Sequence, residues 1–127
     1  MHFIANLSNL FVNEPSILFI ALIGSRASGK ATLDSDWDFA IQWDYSMDWF
    51  KILGQSERLR NKLANALKVD PDKIDLIDLR RANLAMRASV AEDGIPLSGQ
   101  DSLAWAHFLI RTWREIENFY WEQAHAD

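Results

Sequence analysis

Between Ser16 and Ile23 the chain reads SILFIALI, seven apolar residues in succession after one serine, and the run stops at Gly24. A stretch with no polar position cannot present a face to water, so it must be covered on both sides. Its length suits a strand inside a sheet. A second segment, Asp36 to Trp43, alternates instead. Trp37, Phe39, Ile41 and Trp43 fall on one face, and Asp36, Asp38, Ala40 and Gln42 fall on the other. That pattern predicts a strand with one face in the core and a polar face opposite. Lys73 to Leu79, KIDLIDL, predicts a third strand, although Asp75 and Asp78 are costly choices for a purely structural buried strand.

Helical spacing fills the intervals. Phe3, Ile4, Leu7, Leu10 and Phe11 predict a helix over residues 2–12, which Pro15 punctuates. Trp49, Ile52, Leu53, Leu59, Leu63, Ala66 and Leu67 predict another over residues 46–67, with Ser46 as its cap and VDPD as its end. A further helix spans about residues 82–91. The turn at Glu92, Asp93 and Gly94 leads to a short strand, IPLS, and Asp101 caps a final helix over about residues 102–123. The fold class is therefore α/β (α+β), a small mixed β-sheet flanked by helices with a long C-terminal helix. At 127 residues and 49% apolar, the chain is expected to be a single domain spanning residues 1–127, with its motif core in 17–99.

Composition narrows the chemistry. There is no cysteine, so any metal must be held by oxygen or histidine. A formal net charge of -5 argues against coating nucleic acid, and no direct nucleic-acid binding is expected. The N-terminal apolar runs lack a basic leader and are broken by Asn13, Glu14 and Pro15. Neither a secretory nor a membrane-spanning segment is expected, and the expected location is the cytoplasm. His2, His107 and His125 share no metal-ligand spacing and read as surface residues. Trp37 and Trp43 belong to the core face of the aspartate strand, and Trp49 is expected to pack there too. In the last helix Leu109, Ile110, Trp113, Ile116 and Tyr120 form one stripe, which Trp105, Phe108, Phe119 and Trp121 widen beyond a single face. Two readings stay open for it: a partner surface, or a helix clamped between the core and the chain terminus.

The segment from Gly24 to Asp38 admits three parses. GSRASGK, residues 24–30, resembles a phosphate loop, but Ala31 stands where a magnesium-holding hydroxyl is required. Only residues 30–35 separate it from the next strand, too few for a parallel crossover. Asp34, Asp36 and Asp38 suggest a calcium loop, yet Phe39 and Tyr45 occupy its glycine and glutamate positions. In the third parse, Asp36 and Asp38 project from one strand face and share hard divalent cations, with Asp75 as a third carboxylate from a neighbouring strand. Asp78 is the alternative, three positions on. Gly24 lets the backbone turn out of its strand, and Ser25 with the following amides can hold phosphates. Arg26 and Lys30 either pair with those phosphates or compensate the acidic cluster, while Asp34 reads as a solvated loop residue.

The layout of Gly24 and Ser25, ten residues, then Asp36-Trp37-Asp38 resembles the minimal nucleotidyltransferase (MNT) branch of the polymerase beta-like superfamily. The likeness continues through IDLIDLRRANLAMRASVAEDGIPLSG, residues 74–99, so it covers about residues 17–99. The resemblance implies the nucleotidyltransferase fold. It makes Asp36, Asp38 and Asp75 the catalytic, metal-binding carboxylates, with Asp75 helping to activate the attacking hydroxyl. Gly24 and Ser25, with Arg26 and Lys30, become the nucleotide contacts. It also implies two magnesium ions, ATP as substrate, and a HEPN-family ribonuclease toxin as partner in a heteromeric complex. The antitoxin would transfer AMP to a toxin tyrosine. A non-catalytic antitoxin that neutralises by binding and an aminoglycoside-type enzyme are the alternatives. The chain departs from the family at Lys30, where arginine is common, and in RRANLAMR, which lacks the prolines often found there.

Overall fold

In chain order the elements are α1 (His2–Asn9), β1 (Ile17–Ile23), α2 (Ser25–Ser28), β2 (Trp37–Trp43), α3 (Trp49–Leu67), a 3-10 turn (Pro71–Lys73), β3 (Ile74–Asp78), α4 (Leu84–Asp93), β4 (Ile95–Ser98) and α5 (Leu103–His125). The structure, a computed structural model, describes residues 2–126, with side chains described from residue 6 onward. The expected stripe residues Phe3 and Ile4 and the side chain of His2 therefore lie outside the described side chains.

The four strands form one sheet in the order β3-β2-β1-β4. The apolar run is an inner strand as expected, antiparallel to both β2 and β4. β3 runs parallel to β2 at the edge, so the sheet is mixed, and α3 makes the crossover that a parallel pair requires. The antiparallel β1–β2 pair also disposes of the phosphate-loop parse.

Each face of the sheet has its own apolar layer. On one, Ile20, Leu22, Phe39, Ile41 and Trp43 pack with Leu7, Phe11 and the α3 residues Ile52, Leu59 and Leu63. On the other, Phe19, Ala21 and Ala40 pack with Val90 of α4 and Phe108 of α5. Phe19 meets Trp105 edge-on with ring centroids 5.0 Å apart, and Phe108 lies 5.3 Å from the same ring. Arg87 of α4, itself buried, pairs with Glu115 and ties the two helices together.

Several expectations need correction. β2 does not have one polar face throughout, because Ala40 and Gln42 are buried beneath the second layer. Only the end carrying Asp36 and Asp38 stays open. The α3 cap is Asp48, whose side chain accepts from the Lys51 amide at 2.8 Å. Ser46 instead donates its amide and hydroxyl to Asp44, in a turn ahead of the helix. Ser102, not Asp101, caps α5, accepting from the Trp105 amide at 3.1 Å. α1 ends at Asn9, two turn hydrogen bonds from Leu10 and Phe11 closing it. Trp49 is 53% exposed, and the Arg81 guanidinium lies over its ring at 3.9 Å. In α5 the buried positions are Phe108 and Thr112, while Ile110, Trp113, Phe119, Tyr120 and Trp121 are exposed. The helix is thus not clamped over its C-terminal half.

Glu14 fastens the α1–β1 connection to α3. Its buried carboxylate takes Arg58 at 2.5 Å and Lys62 at 3.0 Å. Burial alone would raise its pKa, but the hydrogen bonds and charges of the two cations together hold it below the usual glutamate value. A lowered folded pKa means that the stabilisation is complete above the unfolded value and disappears as pH falls through the folded one. Glu14→Gln should therefore cost about 1–3 kcal/mol at pH 7. The gap between urea melts of the two proteins should narrow as pH is lowered below the usual glutamate value, and a gap that does not change with pH would contradict this account.

Candidate active site

The parallel pairing of β2 and β3 sets Asp38 directly beside Asp75. On its other side Asp38 lies opposite Ile23, the last residue of β1, so the chain leaves β1 beside this carboxylate. Gly24 is next, with φ 73° and ψ -157°, a conformation open essentially to glycine alone. A methyl group there would stand 2.5 Å from Asp38 Oδ2. The carboxylate therefore rests against the glycine backbone, and the glycine is required both for the turn and for the space.

Asp36 immediately precedes β2 and is exposed, Asp38 is half-buried, and Asp75 is exposed. Burial first, and then the charges of Asp75 and Asp36, push the Asp38 carboxyl above the usual aspartate range. The three groups thus sense one another at the open end of the sheet face. Asp78 stands apart: its position on β3 turns its side chain to the other face, where Oδ1 accepts from the Arg80 amide at 3.0 Å.

The loop between Gly24 and Asp36 is braced by its own side chains. Ser25 opens the single turn of α2, and its hydroxyl has no hydrogen bond among the described residues. Arg26 donates to Ser35 O at 2.9 Å and lies over the Trp37 ring at 4.5 Å. Its guanidinium thereby braces the approach to Asp36, a contact that sequence spacing could not reveal because the acceptor is a backbone carbonyl. The Thr32 amide donates to Ser35 Oγ at 2.8 Å, and Lys73 reaches Asp34 O at 3.2 Å. Lys30 and Asp34 are exposed, as are His107 and His125.

Carboxylate oxygens are the donors that magnesium prefers, and the mutual charge sensed by Asp38 is relieved by a cation. Among the described residues no trio of carboxylate or imidazole groups is drawn together tightly enough to enclose an ion as it stands. The donor set fits magnesium in kind.

The sequence matches the polymerase beta nucleotidyltransferase family over residues 5–103. The chain belongs to that family. Among curated proteins, this nucleotidyltransferase-family chain is similar to the protein adenylyltransferase MntA of Aphanizomenon flos-aquae, 31% identical over 90 residues. The match covers 67% of this chain and 59% of that protein's length. Among solved structures, a toxin–antitoxin crystallised with AMP-PNP superposes with a TM-score of 0.69 at 27% identity, covering 98% of this chain and 94% of that one. A complex of tri-AMPylated Shewanella oneidensis HEPN toxin with MNT antitoxin gives 0.63 at 25% identity, covering 95% of this chain and 93% of the matched one. The shared nucleotidyltransferase fold agrees with the four-stranded mixed sheet and the long α5. No described helix is long and apolar enough to cross a membrane.

Proposed function

We propose that this chain transfers AMP from ATP to a hydroxyl group, a tyrosine of a partner HEPN-type toxin, and so acts as the antitoxin of that pair. The observation that carries the reading is the placing of Asp38 beside Asp75, with Gly24 packed against the Asp38 carboxylate. The similarity to MntA and to MNT antitoxins supports it.

Asp36, Asp38 and Asp75 would hold magnesium, which supplies charge neutralisation around the reacting phosphorus. Ser25 and the backbone after Gly24 bind and orient the phosphates. The attacking hydroxyl oxygen forms a bond to the α-phosphorus while the bond to the bridging oxygen of the β-phosphate breaks and pyrophosphate leaves. Asp75, exposed at the sheet edge, would accept the hydroxyl proton. Arg26 keeps Asp36 in place by bracing the loop before it.

Intact mass of the partner toxin after incubation with this protein, ATP and magnesium tests the proposal. Gain in whole AMP units is expected, located on tyrosine by peptide mapping. A stable complex with an unchanged toxin mass would instead favour neutralisation by binding alone. That second reading draws on the exposed aromatic residues of α5, Trp113, Phe119, Tyr120 and Trp121. Transfer to an aminoglycoside in place of the toxin would identify a small-molecule enzyme.

A further inference from the structure

The two edges of the sheet are finished differently. β4 carries Pro96, which has no N–H to offer, and α1 packs against that strand. Neither device protects β3.

Leu79 N donates to Ile41 O at 2.9 Å, which fixes the alternation of the parallel ladder. Residues 75, 77 and 79 turn their peptide groups toward β2, and residues 74, 76 and 78 turn theirs outward. Arg60 donates to the outward Ile74 O, and Arg81 N takes Asp78 O at 3.0 Å. The N–H and C=O of Leu76 and the N–H of Asp78 are left facing out, without a described partner. They open into a groove of about 840 Å³ between α3 and α4. Leu76 and Ile77 form its floor, and Ile52, Leu53, Ala85 and Met86 stand along its walls. Because α3 and α4 lie on opposite faces of the sheet, an inserted strand would send alternate side chains to one wall and the other.

Two further features select the occupant. Asp75 is on the same strand, one residue before Leu76, so the proposed proton acceptor adjoins the groove's floor along β3 without lining it. At its rim the exposed guanidinium of Arg81 lies over Trp49 and has no carboxylate partner among the described residues. A small acceptor would leave the outward peptide groups of β3 unpaired. An extended polypeptide satisfies them with its own backbone.

We propose that this groove takes an extended segment of the acceptor protein, added to the sheet beside β3, with its hydroxyl residue at Asp75 and an acidic side chain at Arg81. The assignment rests on adenylyl transfer to a protein and names how that substrate is held. Backbone pairing supplies register, so the acceptor hydroxyl is presented at a fixed distance along the strand from the segment's anchoring side chains.

Amide hydrogen exchange on the Asp36→Asn/Asp38→Asn protein, with and without the HEPN toxin, reads docking independently of chemistry. Exchange at Leu76 and Asp78 should slow at least tenfold in the complex. In the otherwise unaltered enzyme, Ala85→Trp fills the groove from an exposed helix position, and Arg81→Glu reverses the charge at the rim. Each should raise KM for the toxin at least tenfold and leave ATP affinity unchanged. If Ala85→Trp does not fold, the Arg81 variant and the exchange measurement still decide. Unprotected Leu76 in a formed complex, or parental KM in both variants, would overturn the proposal. Protection of Leu76 by a toxin that the parent enzyme fails to adenylylate would support the docking and refute the chemistry.

Discussion

Replacing Asp36 and Asp38 together by asparagine should lower AMP transfer about a thousand-fold, corresponding to about 4 kcal/mol of lost transition-state stabilisation. Initial rates of AMP incorporation with ATP and magnesium measure it, and a loss under tenfold would remove these residues from the catalytic role. The same change should move stability the other way. Asp38 has its pKa raised by burial and then by Asp75 and Asp36, so the folded state holds its proton more tightly than the unfolded state does. Ionised Asp38 therefore opposes folding at neutral pH, and the penalty fades as pH falls through the raised value. Asp38→Asn removes that opposition. Without metal, the single variant should melt higher than the parent at pH 7 while losing activity, which separates a catalytic defect from a folding defect.

Gly24→Ala should be the most damaging change of a single methyl group at this site. The conformation at φ 73° and ψ -157° costs a non-glycine residue about 1–3 kcal/mol. The added carbon also stands 2.5 Å from Asp38 Oδ2, so the carboxylate must shift. A displacement of that kind is expected to cost about a hundred-fold in rate beyond the loss of stability. Gly29→Ala provides the comparison. Gly29 also has a positive φ, 80°, but a methyl group there meets nothing within 4 Å. It should lower stability by about 1 kcal/mol and leave the rate nearly intact. Equal rate losses at the two positions would show that backbone strain, not contact with Asp38, sets the effect.

The legible parts of this molecule are those fixed by local patterning. Seven apolar residues before Gly24 must be an inner strand, and the alternation after Asp36 places Trp37, Phe39, Ile41 and Trp43 on one buried face. Alternation also separates Asp75 from Asp78. It does not reveal that Ala40 and Gln42 are covered while Asp38, on the same face, stays accessible. That depends on where α4 and α5 come to rest, which is decided by packing between distant segments. Trp49 misled for a related reason: large and apolar, it finds its partner in Arg81 at the rim rather than in the core. The helix caps were missed by one or two residues, since Ser46, Asp48, Asp101 and Ser102 all have suitable oxygens. Only the backbone path chooses among them. Arg26 acts through carbonyl acceptors, which leave no mark on side-chain spacing.

The mixed sheet also fixes the order in which the site can assemble. β1 and β2 are joined by residues 24–36, a shorter loop than the one that leads to β3, and can pair first, which brings Gly24 to Asp38 at the smaller entropic cost. Asp75 arrives only after the chain has passed through the whole of α3 and closed a long loop onto the far side of β2. During refolding the Gly24–Asp38 end of the proposed site can thus form before Asp75, the proposed proton acceptor, joins it, and a partly folded chain would hold the first part without the second. On the proposed mechanism catalytic competence requires the docking of β3, which would make activity a more stringent report of the finished fold than β1–β2 pairing or helix content.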